Sequence, residues 1–123
     1  MHGLVDPHEI TGIAFIAPQL GTHTYSNPAF RVYDIQDDNY AVVNYHQYRL
    51  YLNEANATNI PDWRLAYTFR ELYNCTDMQF STIAMAIERI RTDKEFAKEL
   101  IYQMYNEGPD AINYMNDKSI ILM

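Results

Sequence analysis

Phe15-Ile16-Ala17-Pro18, then Asn27-Pro28-Ala29-Phe30-Arg31-Val32-Tyr33, then Trp63-Arg64-Leu65-Ala66-Tyr67-Thr68-Phe69-Arg70-Glu71-Leu72-Tyr73 follow one another in a chain of 123 residues. The first piece ends the run Thr11 to Ala17, which is short, apolar and bounded by Pro7 and Pro18, and so predicts a buried strand. Gly21, Ser26, Asn27 and Pro28 break regular structure, which makes 18–28 a loop. Phe30 to Ile35 is β-branched and aromatic. Asp37-Asp38-Asn39 supplies a turn, and Tyr40 to Leu52 resumes as a long strand, so these two runs predict a hairpin. Along the second run Val43, Tyr45 and Tyr51 share one face, while Val42, His46, Tyr48 and Leu50 share the other. Large side chains on both faces predict a strand covered on both sides.

The second half reads as helices. Asn53 to Pro61 is a polar linker. From Asp62, Leu65, Phe69 and Leu72 recur at helical spacing, with Ala66 and Tyr73 widening the stripe. A second helix spans about Phe80 to Arg91, with Ile83, Ile87 and Ile90 on one face and Ser81 or Thr76 as its cap. Thr92-Asp93-Lys94-Glu95 has the form of a capping box. The third helix carries Phe96, Leu100 and Met104, and Gly108-Pro109 stops it. The expected fold class is α+β, with N-terminal antiparallel strands followed by a three-helix region. The expected division is 1–55 strands, 56–108 helices and 109–123 a weakly patterned tail.

Composition narrows the function. A hydrophobic fraction of 48% is too high for a disordered chain, and the length suits one domain with a modest core. A net charge of -7 argues against nucleic acid, because phosphate binding needs concentrated basic surface. The apolar run Ile13 to Ala17 is far shorter than the roughly 20 residues that span a bilayer. Met1 to Pro7 lacks the basic and apolar regions of a signal peptide. Cys75 is the one cysteine, so it can form neither an intrachain disulfide nor a zinc site of its own. The 11 tyrosines fall mostly at strand or helix-stripe spacing, which favours the core over a lipid-binding surface.

In order and spacing the three opening stretches resemble the C-terminal region of the acid sphingomyelinase-like phosphodiesterases, a family within the metallophosphoesterases. The likeness runs from about Ile10 to Tyr105 and is lost from Asn106 and Glu107 onward. It implies a parent that cleaves the phosphodiester of sphingomyelin or a related lipid with a pair of zinc ions, in a secreted or lysosomal setting. Thr11 to Leu52 would be the closing strands of the metallophosphoesterase-type sandwich, and Asp62 to Tyr105 the helical region packed on it. The metal-binding motifs of the family lie upstream of this region. The expectation is therefore a chain that lacks the reactive centre, is inactive alone, and has the upstream catalytic domain as its partner. The alternative is a non-catalytic helical interaction module that lost the metal centre.

By the same resemblance the loop from Ala17 to Asn27 lies at the rim of the active site. His23 takes the place of a tyrosine near bound substrate, with Tyr25 next if the loop shifts by two. Pro28 would stiffen the turn, and Arg31 would pair with a buried carboxylate or carbonyls. Gly21-Thr22-His23-Thr24 is not the Gly-His-Thr-His metal motif, since it holds one histidine and follows the strand that should come after the motif.

The residues themselves complete no catalytic constellation. Metal binding needs about three or four converging ligands; His2 and His8 belong to the chain end, and His46 reads as a packed or surface residue. No Gly-Asp-x-x-Asp and no Gly-Asn-His-Glu occurs. Ser26, Ser81 and Ser119 lack a nucleophile elbow, and Cys75 has no histidine in a recognisable frame. Glu71, Glu88 and Glu95 read as solvated charges on helices. Asn56-Ala57-Thr58 and Asn74-Cys75-Thr76 fit the N-glycosylation sequon. Asn56 has the stronger case, because Cys at the middle position weakens a sequon.

Overall fold

The computed structural model describes residues 11–22, 26–104 and 106–108. Strands β1 (Ala29–Ile35), β2 (Val42–Leu50) and β3 (Trp63–Thr68) form an antiparallel sheet in the order β1-β2-β3. Helices α1 (Leu52–Thr58), α2 (Phe69–Tyr73), α3 (Phe80–Thr92) and α4 (Lys94–Met104) complete the described elements. The class is α+β, as expected, with three helices following the last strand.

The hairpin forms where its turn chemistry puts it. Asn39 Oδ1 accepts the N–H of Ala41 at 3.0 Å, and Tyr40 adopts a left-handed φ of 57°. That backbone cannot belong to a strand, so β2 starts at Val42 and not at Tyr40. Tyr33 faces Tyr45 and Phe30 faces Tyr48, with a bulge at Asp34/Ile35. On β2 the buried residues are Tyr45, Gln47 and Arg49. The inner face of this strand is thus half polar, which a reading by apolar residues alone did not anticipate.

Three expected elements are corrected. Thr11 to Ala17 is not a strand but irregular coil. A strand needs a neighbour for its N–H and C=O groups, and no described strand pairs with it. Ile16 O accepts instead from Arg31 Nη1 at 3.1 Å, and Phe15 packs on Tyr33.

Asn53 to Pro61 is not a plain linker, for α1 occupies most of it. Glu54, Ala55 and Ala57 are good helix formers, and Asn59 ends the helix in the left-handed conformation at φ 58°.

The helix expected from Asp62 begins as β3. Leu65 and Phe69 share a helical spacing by coincidence: Leu65 is 49% exposed while Phe69 is buried. The strand turns into α2 at Thr68, whose Oγ1 accepts the N–H of Glu71 at 3.3 Å. At its other end Asn74, at φ 51°, closes α2 with N–H bonds from Asn74 and Cys75 back to Glu71 and Arg70, a left-handed helix stop.

The caps also move. Neither Ser81 nor Thr76 caps α3. Asp77 Oδ1 takes the N–H of Gln79 at 2.9 Å and the hydroxyl of Thr82. The box expected at Thr92 is displaced by one residue: Asp93 Oδ1 accepts the N–H of Phe96 at 3.1 Å, while Thr92 donates to Glu88 O.

The core starts at Tyr45, Phe69 and Met78, with Tyr33, Tyr67, Tyr73 and Ile83 packed against them. Rings then lead outward from the sheet. Tyr45 lies 5.5 Å from Phe69, Phe69 stacks on Tyr73 at 4.4 Å, and Tyr73 meets Phe96 edge-on at 5.7 Å. Phe96, Ala97, Leu100 and Ile101 bury the inner side of α4. Phe69 and Leu100 therefore join the core as expected, whereas Leu65 and Ile87 stay exposed.

Candidate functional site

His23 and Tyr25, the residues expected at the substrate loop, lie outside the described residues, as do His2 and the triplet Asp6-Pro7-His8. The foot of that loop is described, and it is held firmly. Asn27 Oδ1 accepts the N–H of Leu52 at 3.1 Å, and its Nδ2 donates to Asn106 O at 2.9 Å. Ser26, Pro28 and Ala29 are buried, and Leu50 N–H bonds to Pro28 O at 3.0 Å. The loop thus leaves from a point fixed to the end of β2 and to the stretch after α4.

That anchor belongs to a buried polar cluster. Arg49 has no exposed surface. Its Nη2 donates to Gln103 Oε1 at 2.8 Å and to Asn106 Oδ1 at 3.1 Å, and its Nη1 lies 3.0 Å from Glu107 Oε2. Gln47 Nε2 adds a bond to Asn106 Oδ1 at 2.9 Å. Asn106 and Glu107 take left-handed φ values of 51° and 56° to bring these groups round. A buried cation is tolerated only when its donors are all met, and here they are met by one carboxylate and neutral acceptors. These two residues fall where the family likeness was expected to end, so sequence reasoning missed them. The signal available was the period-two row Tyr45, Gln47, Arg49, which places two polar side chains on an inner face.

A second cluster surrounds Arg31. Its guanidinium carbon sits 3.9 Å from the centre of the Tyr45 ring. Nε and Nη2 both donate to Gln47 Oε1, at 3.0 and 2.7 Å, and Tyr67 OH donates to the same oxygen at 3.0 Å. Among the described residues Arg31 therefore meets a backbone carbonyl, a side-chain amide and a ring, and no carboxylate. Burial pushes the phenol of Tyr45 well above its ordinary range and that of Tyr73 up to about 12. Both stay neutral near pH 7, so neither serves as a base. Beside them opens an apolar hollow of about 260 Å3, lined by Phe15, Arg31, Phe69, Ile83 and Ile87 among others.

The outer face of the sheet is open. Phe30, Val32, Trp63 and Leu65 are 40%, 47%, 40% and 49% exposed. Phe30 stacks on Tyr48 at 5.1 Å and tilts against Trp63 at 5.3 Å. His46 lies on the same face, partly exposed and paired with Asp34 at 2.8 Å.

Among the described residues no three of His, Cys, Asp and Glu converge to hold a metal ion, so these residues do not fit a zinc site. Cys75 is a free thiol, partly buried, and burial pushes its pKa up, which makes it a poor nucleophile. No described helix is long and apolar enough to cross a membrane. Asn56 and Asn74 are both exposed. What these residues can do is hold a loop and present a surface.

The family described as the acid sphingomyelin phosphodiesterase C-terminal region matches residues 8–108. The chain is 31% identical over 83 residues to sphingomyelin phosphodiesterase A of Dictyostelium discoideum, covering 68% of this chain and 14% of that protein. It is 32% identical over 102 residues to the sphingomyelin phosphodiesterase of Homo sapiens, covering 78% of this chain and 16% of that protein. It is 28% identical over 88 residues to a cyclic GMP-AMP phosphodiesterase of Mus musculus, covering 70% of this chain and 20% of that protein. The chain thus spans a fifth or less of the length of these relatives. It belongs to the acid sphingomyelin phosphodiesterase C-terminal family.

Proposed function

We propose that this chain forms the C-terminal part of a sphingomyelin phosphodiesterase-like hydrolase and seats its open sheet face against the upstream catalytic part of that enzyme. The observation that carries the reading is the row of Phe30, Tyr48, Trp63 and Leu65 on a sheet face that the described residues leave uncovered. An apolar sheet face of this kind needs a second layer. Burying about 300 Å2 of it contributes on the order of 7 kcal/mol, comparable to the whole stability of a domain.

In this reading the zinc pair belongs to the upstream part, and this chain supplies position. The clamp at Asn27 sets the foot of the loop that carries His23 and Tyr25, and His23 donates a hydrogen bond to a phosphate oxygen of the substrate. The substrate class is a phosphodiester, sphingomyelin or a related lipid. Two relatives are named for sphingomyelin and one for cyclic GMP-AMP, all phosphodiesters. The setting is lysosomal or extracellular.

The test uses the chain alone and the chain joined to a catalytic part. Alone, with zinc supplied, it hydrolyses neither sphingomyelin nor a chromogenic phosphodiester. Trp63 is the one tryptophan, so its emission reports the face directly, shifting to shorter wavelength when a catalytic part covers it. Hydrolysis by the chain alone, abolished by His23→Ala, overturns the reading. A monomer whose Trp63 emission ignores the catalytic part supports the interaction module instead.

A further inference from the structure

Helix α3 carries Ile83, Ala86, Ile87 and Ile90 at the spacing i, i+3, i+4, i+7, an apolar stripe along one side. Its one buried residue is Ala84, and Ile87 is 38% exposed. The stripe walls the hollow of about 260 Å3 on the inner side of the sheet, and Phe15, Phe69 and Tyr73 supply more of its apolar lining. Arg31 is the one charged residue in that lining. A cation beside an apolar wall pays for lost water, and an anion offsets that cost better than a neutral acceptor. The described partners of Arg31 are a carbonyl, an amide and phenols, all neutral. Its Nη1 donates to Ile16 O at 3.1 Å, and Ile16 lines the same hollow, so this nitrogen lies at the hollow's edge. The other Nη1 contact, to Tyr33 OH, is long at 3.4 Å and readily given up.

We infer that the hollow is a binding site for one fatty acid, with its carboxylate on Arg31 Nη1 and its alkyl chain along the stripe of α3. Three features select that class. The volume falls below the roughly 300–1,000 Å3 of pockets for drug-sized ligands, so it takes one alkyl chain and not the pair carried by a membrane lipid. One cation calls for one negative charge. A carboxylate supplies it, whereas a phosphate monoester carries nearly two at neutral pH. The apolar lining favours a chain over a small hydrated anion. The inference needs nothing from the phosphodiesterase reading, because Arg31 and Tyr45 lie on the inner face of the sheet and the proposed seat on the outer one.

The experiment titrates the full chain by calorimetry with decanoate, decanol and decyltrimethylammonium, each below its micelle concentration, and follows Trp63 emission in parallel. Decanoate should bind about tenfold more tightly than decanol, through its charge-assisted bond, and the ammonium compound should be the weakest. From octanoate to decanoate the affinity should rise about fourfold per methylene group. The methyl resonances of Ile83, Ile87 and Ile90 should shift, while Trp63, which packs with Phe30 on the outer face, should not respond. Ala86→Phe fills the hollow and should abolish decanoate binding with an unchanged circular dichroism spectrum. Arg31→Met should bring decanoate down to the level of decanol; should that variant not fold, the ligand series on the unaltered chain and Ala86→Phe decide. Equal affinity for decanoate and decanol, a flat chain-length series, or full binding by Ala86→Phe overturns the proposal. So does a Trp63 shift with silent isoleucine methyls, which marks soap adsorbed on the outer face.

Discussion

Arg49 shows what a single residue contributes. Its guanidinium joins the end of β2 to Gln103 on α4 and to Asn106 and Glu107 beyond it. Arg49→Met removes the donor and strands several buried acceptors, each costing about 1–3 kcal/mol when unmet. Urea denaturation should register a loss of about 3 kcal/mol or more. Arg49→Lys should recover little, because one ammonium cannot span three partners as the planar fork does. An unfolding midpoint unchanged in Arg49→Met would show that the cluster is ornamental. Phe69 belongs to the same scale. It joins the Tyr45 ring to Tyr73, and Phe69→Ala should cost about 3–5 kcal/mol in the same measurement.

At the scale of elements, the legible parts were those whose signals are local. The hairpin rested on Asp37-Asp38-Asn39, and α3 and α4 on apolar stripes with a Gly-Pro stop. β3 was illegible because its evidence is remote. Leu65, Phe69 and Leu72 imitate a helical stripe, and only pairing with β2 earlier in the chain, such as Tyr48 opposite Leu65, decides for a strand. Thr11 to Ala17 failed in the opposite sense, having strand composition but no described partner. For the site, the sequence pointed to the loop of His23 and Tyr25, whereas the described geometry shows the clamp that holds its foot. That clamp is made of Asn27, Asn106 and Arg49, polar residues that apolar patterning cannot rank.

Caps give this scale its pH dependence. The hydroxyl of Thr82, then the N–H of Gln79, hold the Asp77 carboxyl below its ordinary value of 3.8. The folded value is the depressed one, so the stabilisation is present at neutral pH and is lost as pH falls through it. Circular dichroism between pH 6 and pH 2 should show α3 loosening at the acid end. Asp77→Asn should lose that particular acid dependence, and a titration identical to wild type would exclude Asp77 as its source.

For the whole molecule the question is what covers the sheet. The inner face is closed by aromatic rings and the Arg49 cluster, while the outer face keeps Val32 and Leu65 about half exposed on β1 and β3. Both outer strands are edges among the described residues, and an apolar face between open edges favours self-association. The isolated chain should therefore form concentration-dependent aggregates by sedimentation velocity. Its amides should exchange faster along β1 and β3 than along α4, where Phe96, Leu100 and Ile101 are buried. Val32→Lys with Leu65→Lys separates the two roles of the face. Each position is about half exposed and faces away from the side of the sheet that buries Arg49, so stability should change by about 0.5 kcal/mol or less, and the aggregates should give way to monomer. The same pair of changes should abolish the Trp63 emission shift on addition of a catalytic part, since two ammonium groups would have to be buried uncompensated. If the variant still docks, the seat lies elsewhere on the chain. If the unaltered chain stays monomeric with slow exchange throughout its strands, the sheet needs no second layer and the proposed partner has no reason to bind there.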